Sequence, residues 1–192
     1  MHLVLDWDGT CTVQDSLVAA INTLGDPSIY EREYASYGDA LAAEVGTLRC
    51  TAEEAAAWAV ENVELRAGFH ELVEEYRPLI VSSGLPQLIL PVLEREGVEL
   101  EVRSNFADPS AEGWRVRFRH DGPCPVCGDR CKRRSLPEER PIVFVGDGWS
   151  DRCASLGADR VFARTGLADY LDEQGVAYER YDTFHDVAAA LS

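Results

Sequence analysis

The stretch "VLDWDGTCT", residues 4–12, sets two aspartates, Asp6 and Asp8, two apart at the mouth of an apolar run. The run "HLVLD" (2–6) reads as a short buried strand, and Gly9, Thr10 and Cys11 follow as a turn. Like charges crowded at a strand end raise each other's pKa unless a cation offsets them. Two further apolar runs end in the same manner. "PLIVSSG" (78–84) closes on Ser82, Ser83 and Gly84, and "PIVFVGDGWSD" (141–151) closes on Asp147 and Asp151. Strands of this kind alternate with helical stretches along the chain. That order predicts an α/β fold, a doubly wound (Rossmann-like) parallel sheet. Such sheets bind ligands at the carboxyl ends of their strands, so the three polar clusters are expected to meet at one edge.

The rest of the chain fills in around these strands. "DSLVAAINTLG" (15–25) has an N-cap aspartate and a closing glycine, and "TAEEAAAWAVENVEL" (51–65) starts with a capping box. With "GFHELVEEYR" (68–77), they predict a helical insertion, which divides the chain into a core of 1–14 and 77–192 and a helical cap of 15–76. "LPQLILPVLEREG" (85–97) reads as a helix that Pro91 kinks or truly begins. "ELEVRSNF" (99–106) and "WRVRFRH" (114–120) flank "ADPSAEG" (107–113) as a small β-hairpin flap. "CPVCGDRCKRR" (124–134) is a tight loop, and "DRVFAR", "LADYLDEQG", "AYERY" and "FHDVAAAL" continue the β-α series to the end.

Composition narrows the partners. The 192 residues are 46% apolar, enough for a folded core. The net charge of −16 repels phosphate backbones and anionic lipid, which speaks against nucleic acid and membrane. No apolar run is long enough to span a bilayer, and "MHLVLDWDG" lacks the basic start of a signal peptide, so a cytoplasmic location is expected. Arginines number 17 against a single lysine, Lys132. A lone lysine in so arginine-biased a chain suggests a need for its compact ammonium, although composition drift would give the same count.

The clustered carboxylates point to a hard divalent cation, and Mg²⁺ suits oxygen ligands with waters. In that setting Asp6 is the candidate nucleophile toward phosphorus and Asp8 the acid and base for the leaving group and water. Ser82, with the amides that follow it, is the candidate phosphate cradle. Lys132 is positioned to offset charge developing in the transition state.

The set Asp6-x-Asp8-Gly-Thr10, Ser82, Lys132 and Gly146-Asp147-Gly-x-x-Asp151 resembles, in order and spacing, the haloacid dehalogenase (HAD) superfamily of phosphatases, along essentially the whole chain. The helical insertion resembles the C1-type cap of subclass IB. The loop "CPVCGDRCK" and the tail from Gly146 look like the subgroup of the methionine-salvage 2-hydroxy-3-keto-5-methylthiopentenyl-1-phosphate phosphatases, close to phosphoserine phosphatase. The resemblance implies an aspartyl-phosphate intermediate on Asp6. It places Mg²⁺ on Asp6, Asp147 and the Asp8 carbonyl, with Asp151 as a ligand or a partner behind it. It implies phosphate contacts from Ser82, Ser83, Gly84 and Lys132, and a small phosphorylated metabolite as substrate. Trp7, Trp149 and Arg164 depart from the usual pattern and leave the substrate undecided. Phosphoserine hydrolysis, phosphotransfer to an acceptor other than water, and phospho-ligand binding without catalysis are the competing readings; an intact Asp8 argues against the last.

One residue and two groups keep more than one reading. Asp15 is either a helix cap or a substrate contact. His120, Cys124, Cys127 and Cys131 are of the right type for Zn²⁺, but their tight spacing also suits reduced thiols or a disulfide. Seven of the 18 basic residues fall between 115 and 134. There Arg115, Arg117 and Arg119 form either a funnel for an anionic substrate or a solvated or subunit-facing stripe.

Overall fold

Residues 1–110 and 112–192 are described by the computed structural model. Six parallel strands form the central sheet: β1 (His2–Leu5), β2 (Leu79–Val81), β3 (Val102–Arg103), β6 (Ile142–Gly146), β7 (Arg160–Ala163) and β8 (Glu179–Arg180). Their spatial order is β3-β2-β1-β6-β7-β8. β1 is central, with Val4 facing Leu79 on one side and Phe144 on the other. Alternate residues feed opposite faces, as a two-sided sheet requires. Leu3, Leu5, Ile80, Val143 and Val145 enter the larger apolar core on one face. Val4, Val81, Ile142 and Phe144 enter the smaller core on the other. Each such buried aliphatic or aromatic side chain contributes about 1.5–3 kcal/mol. The strand order reverses between β1 and β6, and the crevice at that switch point receives the loops carrying Asp6 and Asp147.

Eight helices, among the described residues, surround the sheet. α1 (Ser16–Leu24), α2 (Tyr37–Val45) and α3 (Ala52–Asn62) precede α4 (Phe69–Tyr76), which leads into β2. α5 (Pro86–Arg95), α6 (Arg152–Ser155), α7 (Thr165–Gln174) and α8 (Phe184–Leu191) follow in turn. The excursion after β1 is closed at its base. Val13 N–H donates to the Glu64 carbonyl at 2.9 Å, Arg66 N–H to that of Cys11 at 2.8 Å, and Thr12 bridges Leu65. α3 lies on α5, held by Arg95 Nη1 on the carbonyls of Val60 and Val63. α4 rests on α8, with the Phe69 and Phe184 rings 6.0 Å apart. No helix among the described residues is long and apolar enough to cross a membrane.

Two local expectations are corrected. The helix of 85–97 does not begin at Pro91: α5 starts at Pro86 and continues through it. The bond lost at Pro91 is a local penalty that burial of Leu88, Ile89, Val92 and Leu93 offsets. "ELEVRSNF" is not one strand. Its Val102–Arg103 forms β3, parallel to β2, and its last residue opens β4 (Phe106–Asp108), antiparallel to β5 (Arg115–Arg117) in a separate hairpin. Of the expected hairpin turn 107–113, Ala111 lies outside the described residues.

Candidate active site

β1 delivers Asp6, 3% exposed, to the sheet edge. Its Oδ1 accepts from the Trp7 amide at 2.6 Å and faces Lys132 Nζ at 2.5 Å. Lys132, itself 4% exposed, also reaches Asp151 Oδ1 at 2.8 Å. The other Asp151 oxygen accepts the amides of Asp147 and Gly148, each at 3.0 Å. Asp151 thus joins the lysine to the turn after β6. Asp147 receives the Thr10 hydroxyl at 2.9 Å, so Thr10 supports that carboxylate from the turn. Asp6, Asp147 and Asp151 each offer an oxygen within 4.8 Å of the others.

Asp8 stands apart from that cluster. Its Oδ1 accepts the Ser16 amide at 2.8 Å and the Ser16 hydroxyl, at the first turn of α1. Its Oδ2 lies beside Gly84, where a Cβ would come within 2.8 Å. Gly9 follows Asp8 with φ +74°, and a side chain there would run into the Asp147 carboxylate. The turn is fixed from outside by Arg66. Its guanidinium donates to the carbonyls of Gly9 (2.7 Å), Thr10 (2.8 Å) and Thr12 (3.1 Å). The Tyr181 hydroxyl meets Thr10 from the far side at 3.3 Å.

The carboxylates are short of positive charge. Burial, then the charges of Asp151 and Asp147, push Asp6 well above the carboxylate range despite Lys132. Burial and Asp15 raise Asp8 to about 7 against the pull of Ser16. Burial and Asp151 raise Asp147 to about 6. Burial opposes the Lys132 charge, but Asp151 and Asp6 outweigh it and hold its pKa above that of an ordinary lysine. One ammonium among so many carboxylates leaves room for a hard dication, and the all-oxygen donor set fits Mg²⁺.

A cavity of about 220 Å³ opens over these groups. The core contributes Asp6, Asp8, Lys132 and Asp147, along with Ser83 and Gly84. α1 and α2 add Leu17, Val18, Tyr37, Leu41 and Glu44, and Trp149 stands at the rim, 64% exposed. Asp15 caps α1 through the Val18 amide at 2.8 Å and also lines the cavity. Ser82 is placed one layer deeper. Its hydroxyl accepts the Gly84 amide at 2.8 Å, and it lines a narrow neighbouring pocket with Lys132 and Ser83. Arg119 borders that pocket, whereas Arg115 and Arg117 are exposed on β5, and Arg117 pairs with Asp108 at 3.0 Å. The four-ligand set proposed around the cysteine loop changes. His120 bonds Ser135 Oγ through Nε2 at 2.8 Å, and the fourth residue beside Cys124, Cys127 and Cys131 is Cys153.

Ser16, Arg66, Tyr37 and Glu44 were not singled out from sequence. The Asp8 to Ser16 spacing is a local signal; the other three contacts are long-range and leave no local trace.

No family model matches the chain. A 2-hydroxy-3-keto-5-methylthiopentenyl-1-phosphate phosphatase of Bacillus mycoides is 25% identical over 209 residues, covering 100% of this chain and 95% of that protein. A phosphoserine phosphohydrolase-like protein from Francisella tularensis superposes with a TM-score of 0.73 at 16% identity, covering 100% of this chain and 99% of the other. A phosphoserine phosphatase captured as a phospho-aspartyl intermediate analogue superposes with a TM-score of 0.69 at 15% identity, over 98% and 97% of the two chains.

Proposed function

We propose that this chain, a phosphatase of the haloacid dehalogenase type, hydrolyses a small phosphomonoester whose remaining part is uncharged and largely apolar. The lining of the cavity carries this reading. Among the residues lining the cavity, Lys132 is the only cation, and Leu17, Val18, Leu41 and Trp149 supply apolar surface. A second anionic group on the substrate would face Asp15 and Glu44 with no partner, at a cost of several kcal/mol if desolvated. The compound in the name of the B. mycoides relative, a hydroxy-keto-methylthiopentenyl phosphate, has the required character: one phosphate and a thioether tail. Phosphoserine is the competing substrate. Asp15 and Glu44 would suit its ammonium, but its carboxylate finds no cation in this cavity besides Lys132, which Asp6 and Asp151 already pair.

Asp6 forms the bond to phosphorus while the phosphorus–oxygen bond to the leaving group breaks. Asp8, its pKa raised to about 7 by burial and Asp15, gives its proton to that oxygen. Asp8 then takes a proton from water, which attacks phosphorus, releases phosphate and restores Asp6. Asp6 and Asp147 would hold Mg²⁺, with Asp151 fixing Lys132 and the Asp147 amide behind them. Such an ion supplies positive charge to the phosphoryl oxygens. Lys132 favours the ionised form of Asp6 against burial and the neighbouring carboxylates, and orients it. The helical excursion opening at residue 15 serves as the cap, and through Tyr37, Leu41 and Glu44 it shapes the tail site and limits water.

The test compares kcat/KM for the methylthiopentenyl enol phosphate, phosphoserine and p-nitrophenyl phosphate with Mg²⁺. A preference of at least about tenfold for the thioether substrate over phosphoserine is expected, the scale of one unpaired polar group. Preference for phosphoserine would overturn the reading of the tail site. Inactivity toward all three would overturn the phosphatase reading.

A further inference from the structure

Four cysteines gather outside the catalytic cavity. Cys124, Cys127 and Cys131 come from the loop before Lys132, and Cys153 comes from α6, just after Asp151. Their sulfurs all lie within 4.8 Å of one another, with Cys124 and Cys153 at 4.0 Å. All four are free thiols, and 4.0 Å is far beyond the roughly 2.05 Å of a disulfide. Four thiolates at about 2.3 Å from a zinc ion stand about 3.8 Å apart in a tetrahedron, so the cage needs only slight contraction.

We propose that Cys124, Cys127, Cys131 and Cys153 form a structural zinc site that ties the Lys132 loop to α6. The loop is shaped for this by its own backbone. The Cys124 amide donates to the Asp129 carbonyl at 2.7 Å, and the Gly128 amide, at φ +75°, to the Cys124 carbonyl at 2.9 Å. The Val126 amide points at Cys124 Sγ at 3.4 Å, the contact that stabilises a thiolate ligand. Pro125 stiffens the intervening turn. Four soft sulfur donors with no open ligand position select zinc for a structural role, whereas the all-oxygen site at Asp6 and Asp147 selects magnesium. The two ions therefore do not compete.

Charge supports the assignment. Four thiolates on a dication leave a net dianion, and this is the basic part of an otherwise acidic chain. Arg130 precedes Cys131 in the loop, and Lys132, Arg133 and Arg134 follow it. Arg133 Nη1 already bonds the Cys153 carbonyl at 2.9 Å. Cys127 is exposed and Cys131 half-buried, which gives the metal a way in.

The site would do two things for catalysis from a distance. Cys131 adjoins Lys132, and Cys153 lies two residues after Asp151, so zinc closes a ring around the 2.8 Å Lys132–Asp151 contact. Asp129, within the same loop, accepts the Tyr37 amide at 2.8 Å and thereby caps α2, which lines the substrate cavity. The ion is thus a positioning element and makes no contact with substrate.

The full chain, purified under reducing conditions without chelator, is expected to contain about one zinc per chain by elemental mass spectrometry. Cobalt(II) added to the stripped chain should give the thiolate charge-transfer and tetrahedral ligand-field bands. Cys127→Ser and Cys153→Ser should each lower metal affinity at least tenfold, and His120→Ala should leave it unchanged. Zinc should protect four of the six thiols from alkylation. The site is overturned if the unmodified chain, folded by circular dichroism, takes up neither zinc nor cobalt. It is also overturned if Cys153→Ser binds as tightly as the parent, if His120→Ala loses the metal, or if the four thiols are recovered as disulfides under reducing conditions.

Discussion

Lys132 Nζ stands 2.5 Å from Asp6 Oδ1, and both side chains are almost wholly removed from solvent. The one lysine of the chain is therefore the direct neighbour of the carboxylate read as the nucleophile. A short, compact ammonium fits between Asp6 and Asp151, where a planar guanidinium would have to displace one of them. Lys132→Arg is expected to lower kcat by roughly a hundredfold, the ~3 kcal/mol typical of losing one preorganised charge contact. Steady-state kinetics with a saturating phosphoester decides it. An arginine variant within a few-fold of the parent would reduce the lysine to a generic cation.

The raised carboxyls make magnesium binding pH-dependent in a definite direction. Asp8 and Asp147 move from 3.8 in the unfolded chain to about 7 and about 6 in the folded one, and Asp6 moves the same way. A folded pKa above the unfolded value favours folding below the unfolded value, and that contribution is lost as pH rises through the folded one. Without metal, the site therefore grows more destabilising between about pH 4 and pH 7. Magnesium offsets this only for the ionised forms. The rise in Tm on adding Mg²⁺ should be small at pH 5 and larger at pH 8, and Asp147→Asn should remove most of it. Equal rises at the two pH values in a thermal scan would contradict the assigned site.

Arg66 fixes the turn after Asp8 by donating to the carbonyls of Gly9, Thr10 and Thr12. A lysine cannot reproduce that fork. Arg66→Lys should destabilise the protein by about 2 kcal/mol, the value of one or two lost charged hydrogen bonds. It should also lower kcat, because the Asp6–Asp8 turn loosens. The urea midpoint at constant slope reads the first effect. An unchanged midpoint would show that the turn holds its shape unaided.

Much of this site was legible in the order of residues along the chain. Asp6, Asp8, Ser82 and Asp147 each follow an apolar run, and a parallel sheet brings such ends together by construction. The arginine bias marked Lys132 before its neighbours were visible. What escaped lies in tertiary contacts. Cys153 is 22 positions beyond Cys131 and joins the other thiols only because α6 folds back on the Lys132 turn. His120 sat nearer in sequence but is taken by Ser135. Arg66 looks like any helix-flanking arginine until the excursion after β1 closes at its base. The division of "ELEVRSNF" between two sheets was hidden because alternation is the same on both sides of the break at Ser104 and Asn105. Ser104 is buried there, and Asn105 donates to the Ser83 carbonyl at 2.8 Å, which turns the chain out of the sheet.

The most direct measurement is the chemical identity of the phosphorylated residue. Asp8→Asn should slow hydrolysis of the intermediate while still accepting phosphate from p-nitrophenyl phosphate, whose leaving group needs no acid. Acid quenching of that variant during turnover, borohydride reduction and peptide mass spectrometry should then find homoserine at position 6, and the Asp6→Asn, Asp8→Asn double variant should show none. Turnover without a covalent adduct, or an adduct on any other residue, would contradict the account.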